Sequence, residues 1–479
     1  MATIDIASVF DQDSASGAAL RVSPTDLSQF IRLDQCQRYL RLQLHLRQAD
    51  QSFLHEYDVA LQTIPPILTH SGATFEQLVE SATREALPTT RFEHSTGADI
   101  NNAEVVEIAR SLGTGDVHVV FQPRLRAHIG GWRLTGDVDI LRMERGTDGT
   151  LRCLIADMKS STASRVEHRL QVAVYHEMLS SVLAEAGIHD ATIELGILYR
   201  GPVEGTTAAE QADHDLLRRQ REDAMATFGT DAGYLERVDD AAAYLGSVQD
   251  LLTGDDSVAR RVLHKDFDEV PFHLTYKCDG CRFNEFCMKR SAETDDLSLL
   301  PHLTEQDKTI LRKHGITRVQ QVAELKDLVD DAEGKPTLVP APGKEALNRM
   351  LAVTWPVGPH IDELVHRAKR YVGWQHGKRE GLSYIPNRGY GTLPYSGPDL
   401  HPNLIRVYID AQHDYLHDRI YMVGALVVAN NNGVPEPHRR RSIVRMTPVA
   451  PSSNEIEQAL FLDWIQETLR AIVEVAAPD

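Results

Sequence analysis

The pattern of apolar and polar residues predicts an ordered succession of helices and strands over the first 200 residues. A helical entry begins at Ser23, with Pro24 at the first helical position, and continues to Leu46. Apolar residues spaced by three and four predict a second helix after Gly72. A three-stranded meander, a helix and a further strand are then predicted over residues 117–121, 132–141, 151–158, 166–184 and 192–199. This succession is typical of an α/β fold.

The rest of the chain changes character several times, which predicts further domains. Polar helices are expected over residues 208–263, and two short helices around residues 313–316. Pro/Gly-rich stretches after Thr337 and over residues 386–402 are expected to be joints. Strands and a final helix follow, over residues 405–409, 420–429, 442–446 and 453–473. We therefore predict three domains, at residues 1–295, 296–385 and 400–479.

Composition places the chain among soluble globular proteins but says little about its function. Its 479 residues exceed what one compact core usually holds. Hydrophobic residues make up 42% and charged residues 25%, and no apolar run is long enough to span a membrane. The first residues lack the basic and apolar segments of a signal peptide, so we expect a cytoplasmic protein. The net charge of −19 gives no support to nucleic-acid binding, which must rest on motifs.

Two aspartates and a lysine on neighbouring predicted strands form the main candidate catalytic group. Asp139 lies late in one strand, and Asp157 and Lys159 end the next. Side chains two residues apart in a strand leave the same face, so we expect Lys159 beside Asp157. Clustered carboxylate oxygens suit Mg²⁺ or Mn²⁺, which activates water and neutralises the charge that develops in phosphodiester hydrolysis. Taken alone, each piece also fits a surface ion pair or a strand-end turn.

The helix after these strands completes a recognisable motif. Gln171 and Tyr175 are four residues apart, so they share a helical face and are expected to position the substrate backbone. The order G-x-x-D, D-x-K and Q-x-x-x-Y resembles the RecB-like branch of the PD-(D/E)XK nucleases over residues 23–290. The resemblance implies a restriction-endonuclease-like core with helical additions. It also implies that Asp139, Asp157, Lys159 and Gln171 form the active site.

The resemblance points to one more metal ligand and leaves one ambiguity. The family places an acidic residue or a histidine on an early helix after a glycine, and Glu76 stands at the matching place after Gly72. Glu76 is therefore a candidate ligand; the alternative is a solvated helix face that it shares with Glu80. Strand alternation puts Asp137 on the same face as Asp139, whereas the family spacing selects Asp139.

Three of the five cysteines lie close together as C-x2-C-x5-C, at Cys278, Cys281 and Cys287. Such crowding indicates a metal rather than disulfides, and a closed site needs a fourth ligand. Cys153 lies within a predicted strand, where simple burial is the usual fate. A distant Cys36 with a later triplet resembles the iron-staple nucleases of helicase–nuclease subunits and CRISPR adaptation, which implies a [4Fe–4S] cluster; zinc is the alternative. Three aromatic residues are expected to shield the cluster from water: Tyr276, Phe283 and Phe286.

The last third of the chain resembles parts of two further modules. The short helices near residue 315 resemble a helical hairpin that follows the nuclease in some RecB-like proteins, where it would contact the DNA backbone or act as a spacer. The segment from Val407 resembles the first half of an RNase H-like α/β fold, ending before its remaining strands, as in a fragment or a degenerate unit. Gln412 replaces an acidic residue of active relatives, so we expect this partial module to be inactive.

Three classes of function follow from these patterns. The leading hypothesis is a Mg²⁺- or Mn²⁺-dependent deoxyribonuclease that acts on single-stranded or end-containing DNA in repair, recombination or defence. A catalytically idle DNA-binding or assembly subunit of a helicase–nuclease complex is the alternative. Relatives often continue into a superfamily-1 helicase, but this chain has no G-x-x-x-x-G-K-[ST] motif, so a helicase would act in trans. A zinc-stabilised RNA-processing enzyme is the third class, without any RNA-reading signature to support it.

Overall fold

The computed structural model describes residues 20–62, 66–96, 99–202, 209, 211–330, 332, 336–375, 403–414, 419–431, 434–447 and 453–477. Contacts divide the chain into two units: residues 1–202 with 211–289, and residues 203–210 with 290–479. Within the described ranges, every helix is too short or too polar to cross a membrane. The first unit contains the candidate catalytic residues. The finer division at residues 296–385 and 400–479 stays a prediction.

Helices alternate with strands through the first unit, as an α/β fold requires. The described helices up to residue 294 are α1 (Pro24–Arg32), α2 (Gln37–Arg47), α3 (Gln51–Glu56), α4 (Pro66–Ala86), α5 (Asn102–Ser111), α6 (Val166–Glu185), α7 (His214–Phe228), α8 (Ala241–Leu252), α9 (Val258–His264) and α10 (Asn284–Thr294). The strands are β1 (Leu20–Val22), β2 (Thr89–Arg91), β3 (Val117–Phe121), β4 (Arg124–Ile129), β5 (Trp132–Asp137), β6 (Ile140–Arg145), β7 (Leu151–Lys159), β8 (Ala191–Tyr199) and β9 (Tyr234–Arg237). A six-stranded mixed sheet has the order β2-β3-β6-β7-β8-β9, and a three-stranded sheet has the order β1-β5-β4.

Strand β7 separates two apolar cores, because its side chains alternate between the faces of the six-stranded sheet. Cys153 and Ile155 belong to the core that includes α6, whereas Leu154 and Met158 pack with residues of α4 and α7. Helix α6 is buried on most of its surface, since it also packs against α1, α8, β4 and β8. The predicted α/β class is therefore confirmed, and the layers agree with a restriction-endonuclease-like core.

The N-terminal helical entry is two helices rather than one. Ser23 caps α1, because its hydroxyl accepts a hydrogen bond from the Asp26 N–H and the Asp26 carboxylate accepts one from the Ser23 N–H. Asp34 and Gln35 then adopt left-handed backbone angles, with φ of 53° and 58°. This turn ends α1 and redirects the chain into α2, and the apolar pattern alone did not reveal it.

Other predicted boundaries also need correction. Strand β4 was not predicted, although half-buried arginines alternate in it with the buried Leu125 and Ala127. The strand predicted over residues 132–141 is two strands in two different sheets, with Val138 and Asp139 at the junction between β5 and β6. Helix α4 begins before Gly72 rather than after it, and Leu78, expected in the apolar stripe, is 58% exposed.

The second unit has a helical part and a sheet with one covering helix. Helices α11 (Glu305–Lys313), α12 (Val319–Ala323), α13 (Glu345–Ala352) and α14 (Ile361–Gln375) share one apolar core, flanked by the hairpin of β10 (Lys326–Asp330) and β11 (Pro336–Pro340). The joint expected after Thr337 begins within strand β11, which ends at Pro340, and Pro342 and Gly343 lie in the turn that follows. Strands β12 (Ile405–Asp414), β13 (Arg419–Asn431) and β14 (Val434–Met446) form an antiparallel sheet that packs against α15 (Asn454–Ala476). The linker predicted over residues 386–402 lies outside the described residues.

Gly136, the glycine of the G-x-x-D motif, permits a close approach of two helices to β5. A Cβ atom at this position would lie 2.8 Å from Pro24 Cδ in α1 and 2.9 Å from Tyr175 Cε1 in α6. Both distances are shorter than carbon atoms tolerate without movement. The glycine is therefore required by packing next to the site and does not itself contribute chemistry.

We expect Gly136→Ala to lower the free energy of unfolding by about 1–3 kcal/mol, because the added methyl group overpacks this contact. Urea unfolding followed by circular dichroism measures the change. Gly246→Ala in α8 is the matched control, since nothing lies within 4 Å of its Cβ position. Alanine should stabilise that helix by up to about 1 kcal/mol. Equal stability of Gly136→Ala and the unchanged protein would contradict the packing argument.

Candidate active site

The ends of two antiparallel strands bring the predicted catalytic side chains together. Asp139 stands immediately before β6, whose first residue, Ile140, is in register with Ala156 of β7. Asp157 and Lys159 lie at the end of β7, and their side chains leave the sheet on the face that packs against α6. The G-x-x-D and D-x-K segments therefore meet at one end of the six-stranded sheet.

Asp157 is the most deeply buried of these charged groups and is only 1% exposed. Lys159 Nζ lies 2.6 Å from Asp157 Oδ2, and Gln171 Nε2 donates a hydrogen bond to Oδ1 at 3.2 Å. Oδ2 has this ion pair but no hydrogen bond of regular geometry. Burial raises the pKa of Asp157 to about 8; Lys159 opposes the rise and Asp139 adds to it. A cation bound beside Asp157 would oppose this rise and favour the ionised carboxylate.

The two aspartates of the G-x-x-D segment have different partners. Asp139 accepts hydrogen bonds on both carboxylate oxygens, from Met158 N at 2.7 Å and from Gln122 Nε2 at 3.3 Å. Asp137 instead forms a two-pronged ion pair with Arg124, at 2.6 and 2.9 Å. Because a sheet junction separates the two aspartates, strand alternation does not put them on one face. Asp139 is the one that reaches the candidate site.

Glu76 on α4 faces the same site from another side. It is half-buried, and burial and Asp139 raise the pKa of its carboxyl, while Lys159 opposes the rise. Glu80, one turn further along α4, is buried and ion-paired with Arg91. The two glutamates therefore do not form a shared solvated helix face, which was the alternative drawn from the sequence.

Tyr175 has a different role from the contact with substrate that its spacing predicted. It is only 2% exposed, and its hydroxyl donates a hydrogen bond to the Asp137 carbonyl at 2.6 Å. This bond ties α6 to the strand end that precedes Asp139. Gln171, one turn earlier and 8% exposed, uses its amide on Asp157. Gln171 therefore fixes the Asp157 carboxylate, Tyr175 fixes the end of β5, and neither side chain projects into solvent.

Two residues at the site were missed by the sequence motifs. Gln122 reaches Asp139 from a turn 17 residues earlier in the chain, and no pattern in the sequence marks it. His168 lies on α6 three residues before Gln171 and is buried. Burial, with help from Lys159, lowers the pKa of His168 to about 3, so this imidazole is neutral at physiological pH. Its helical spacing from Gln171 was a signal that could have identified it.

The four cysteines predicted to bind a cluster come from the two ends of the first unit. Cys36 precedes α2, Cys278 and Cys281 lie in and after the short 3₁₀ helix Tyr276–Gly280, and Cys287 is on α10. Burial raises the pKa of Cys36 to about 11 and that of Cys287 to about 12, and the neighbouring cysteines add to both rises. Cys153 is buried in β7 among apolar residues, as predicted.

The aromatic residues near these cysteines differ in burial. Phe283 and Phe286 are buried, whereas Tyr276 is 81% exposed. The predicted shielding by Tyr276 is therefore wrong, because its ring lies in solvent. A hydrogen bond from a side chain to the backbone joins the two ends of the first unit here, since Arg32 Nη2 donates to the Gly280 carbonyl at 2.7 Å.

The donor types at the first site fit a hard divalent cation. Asp139, Asp157 and Glu76 supply carboxylate oxygens, the ligands that Mg²⁺ and Mn²⁺ prefer. The buried Oδ2 of Asp157 has spare capacity to bind a cation. Among the residues that the structure describes, however, no three histidine, cysteine, aspartate or glutamate side chains are arranged as the ligands of one ion. This absence among the described residues includes the four cysteines, so the arrangement of their side chains gives no support to an iron–sulfur cluster.

The layered α/β core, with carboxylates and a lysine at one sheet end, is the architecture of a restriction-endonuclease-like protein. A family model described as the PD-(D/E)XK nuclease superfamily matches residues 29–288, more than half of the chain. The chain belongs to this superfamily, and membership implies metal-dependent nuclease activity, usually with Mg²⁺ or Mn²⁺. The matched segment contains every candidate residue from Cys36 to Cys287. No curated protein matches the sequence.

We expect Asp139→Asn to weaken Mn²⁺ binding by at least about tenfold. Loss of a residue that only orients a ligand already costs about that much, and Asp139 is itself a candidate ligand. Asp137→Asn should keep the Mn²⁺ affinity and lower the free energy of unfolding by about 1 kcal/mol, because only the half-exposed ion pair with Arg124 is lost. Electron paramagnetic resonance of unbound Mn²⁺ and urea unfolding measure the two effects. The reverse pattern of Mn²⁺ affinities would mean that Asp137 is the ligand.

Proposed function

We propose that this protein is a Mg²⁺- or Mn²⁺-dependent deoxyribonuclease of the RecB-like branch. It hydrolyses phosphodiester bonds of single-stranded or end-containing DNA, in repair, recombination or defence. The observation that carries the proposal is the ion pair of Lys159 with the buried Asp157, beside Asp139, inside a PD-(D/E)XK domain. A cytoplasmic location, expected from the N-terminal sequence, is part of the same proposal.

Each residue has a defined task in this reaction. Asp139, Asp157 and Glu76 would hold the divalent cation, which would supply an activated water and positive charge for the phosphate. Burial alone would lower the pKa of Lys159, but Asp157 and Asp139 outweigh it and raise that pKa. Lys159 therefore remains an ammonium group that stabilises the developing negative charge. Gln171 fixes the orientation of Asp157 through its hydrogen bond to Oδ1.

A catalytically idle DNA-binding or assembly subunit is the second candidate function. The net charge of −19 favours the assembly role within this alternative, because nonspecific DNA binding usually needs basic surface. Against it stands the cost of burying Asp157 next to another carboxylate. Strongly perturbed carboxyl groups of this kind are concentrated at functional sites, and an idle fold has no need to keep one.

We extend the proposal to a [4Fe–4S] cluster on Cys36, Cys278, Cys281 and Cys287, with zinc as the alternative metal. The support is that Cys278 and Cys281 help to raise the pKa of Cys36, and that Cys36, Cys278 and Cys281 help to raise that of Cys287. Metal ligation requires thiolates and lowers the pKa of the thiols that it engages, so a bound cluster would relieve this repulsion. The cluster would close a loop of more than 200 residues and stabilise the unit in the chain-entropy picture.

The modules of the second unit complete the proposal as non-catalytic parts. In the hairpin of α11 and α12, the N–H groups of Val319 and Gln320 already donate to Asp295. This favours a spacer over a DNA-backbone contact, since these groups are not available to phosphate. In the partial RNase H-like module, Gln412 donates a hydrogen bond to Asp410, which agrees with an inactive module. The partner that we propose is a helicase subunit acting in trans.

Full-length protein should cleave end-labelled single- or double-stranded DNA when Mn²⁺ or Mg²⁺ is present. Asp157→Ala and Lys159→Ala should each lower the cleavage rate by about a hundredfold or more, because each removes charge from the reacting centre. Gel electrophoresis of the labelled DNA measures the rate. An exposed ion pair elsewhere provides the control, since Arg218→Ala should cleave at the normal rate. Full activity in excess chelator, or normal cleavage by folded Asp157→Ala, would refute the nuclease mechanism.

Protein purified without oxygen should contain about four irons per chain if the cysteines hold a cubane cluster. Cys36→Ser should lose iron and unfold at a lower urea concentration, because the N-terminal helices lose their tie to the later cysteines. Cys153→Ser is the matched control and should keep the full iron content, since Cys153 is buried in the apolar core. Elemental analysis that finds one zinc and no iron would replace the cluster with a zinc site.

A further inference from the structure

Asp139 is oriented by a residue outside the nuclease motifs. Gln122 lies in the turn between β3 and β4, and its Nε2 donates a hydrogen bond to Asp139 Oδ1 at 3.3 Å. Met158 N donates to the other oxygen, Oδ2, at 2.7 Å. Because each carboxylate oxygen has its own donor, the two bonds together fix the plane of the carboxylate. The remaining lone pairs of both oxygens are left for a cation.

The turn that carries Gln122 is joined to the Asp139 junction by backbone hydrogen bonds as well. Gln122 N donates to the Asp139 carbonyl at 3.1 Å, and Val138 N donates to the Pro123 carbonyl at 3.0 Å. The two segments therefore move together, although β3 and β4 belong to different sheets. The amide of Gln122 is thus held at a constant distance from the carboxylate.

His94 fixes the turn from its other side. Its Nε2 lies 2.8 Å from the Gln122 carbonyl oxygen, and since a carbonyl can only accept, this nitrogen must carry the proton. The His94 side chain is 11% exposed, so the contact is shielded from water. Both main-chain polar groups of Gln122 therefore form hydrogen bonds that fix its backbone. Only the side-chain torsion angles of Gln122 remain to be set.

Gln122 has backbone angles that other residue types adopt more readily than glutamine does. Its φ is +55°, in the left-handed region that glycine and asparagine adopt most readily. Unfavourable angles of this kind persist where the surrounding structure over-determines them, and they are concentrated at functional sites. Glutamine is one methylene longer than asparagine, so its presence here is explained by the reach that the hydrogen bond to Asp139 requires.

We propose that Gln122 is a positioning residue that orients Asp139 for the divalent cation, with His94 holding Gln122 in place. The inference rests on the proposed metal-dependent nuclease function. It adds to that function a neutral donor that fixes a ligand without changing the charge of the site. Outer-shell partners of this kind orient first-shell ligands, and their loss typically costs about 10–100-fold in metal affinity or activity.

The test compares Gln122→Asn and Gln122→Leu with the unchanged full-length protein, with Mn²⁺ alone as the probe. Electron paramagnetic resonance gives the Mn²⁺ dissociation constant, urea unfolding gives stability, and cleavage of labelled DNA gives the rate. Gln122→Asn should unfold at the same urea concentration or a higher one, because asparagine tolerates the left-handed backbone. It should nevertheless bind Mn²⁺ about 10–100-fold more weakly, since its amide is too short to reach Asp139. Gln51→Leu, an exposed glutamine on α3, is the control and should match the unchanged protein.

The outcomes separate this inference from the proposed function. Normal Mn²⁺ affinity in folded Gln122→Asn would overturn the positioning role while leaving the nuclease proposal intact. Mn²⁺ binding that weakens as expected, in a protein that cleaves no DNA, would support the positioning role and refute the nuclease. An unchanged protein that binds no Mn²⁺ would refute both. If Gln122→Leu does not fold, Gln122→Asn carries the comparison alone, because it keeps a polar side chain that suits the turn.

Discussion

The burial of one carboxylate beside another is the constraint around which the nuclease unit is organised. An ionised group that is withdrawn from water costs several kcal/mol unless other groups replace the lost hydration. Asp157 is almost fully buried at the end of β7, and Lys159 and Gln171 supply that replacement in part. Both partners are placed by regular structure, one by the pleat of the strand and the other by helix α6. The site therefore depends on α6 lying close against the sheet.

The close packing of α6 against the sheet also constrains residues that take no part in catalysis. Gly136 has no room for a side chain because α1 and α6 converge on it, and Tyr175 uses its hydroxyl to hold the end of β5. The chain then crosses from one sheet to the other through Val138 and Asp139. A change of sheet leaves the side chain of Asp139 free of the strict alternation of a strand, so it can turn towards β7. The spacing between Gly136 and Asp139 in the G-x-x-D motif thus reflects the passage of the chain from one sheet to the other.

The sequence predicted those parts of the site that depend on local periodicity. The adjacency of Asp157 and Lys159 follows from strand alternation, and the shared face of Gln171 and Tyr175 follows from helical spacing. The hydrogen bond of Gln171 to Asp157 was not part of that prediction. The sequence did not predict the break at Asp34 or the role of Gln122, because both depend on left-handed backbone angles and on partners distant in the chain. Tertiary packing supplies those contacts, and no pattern of apolar residues encodes them.

The contacts between the two ends of the first unit have a consequence for how the protein is made. Arg32 binds the Gly280 carbonyl and Asp34 pairs with Lys277, partners that are 248 and 243 residues apart. A ribosome that adds about 5–20 residues per second exposes the early helices for roughly 12–50 seconds before those partners are synthesised. During that time, part of the apolar surface of α1 and α2 lacks the residues that cover it in the folded protein. The nascent chain therefore carries apolar surface without its final partners until the nuclease unit is complete, which exposes it to aggregation.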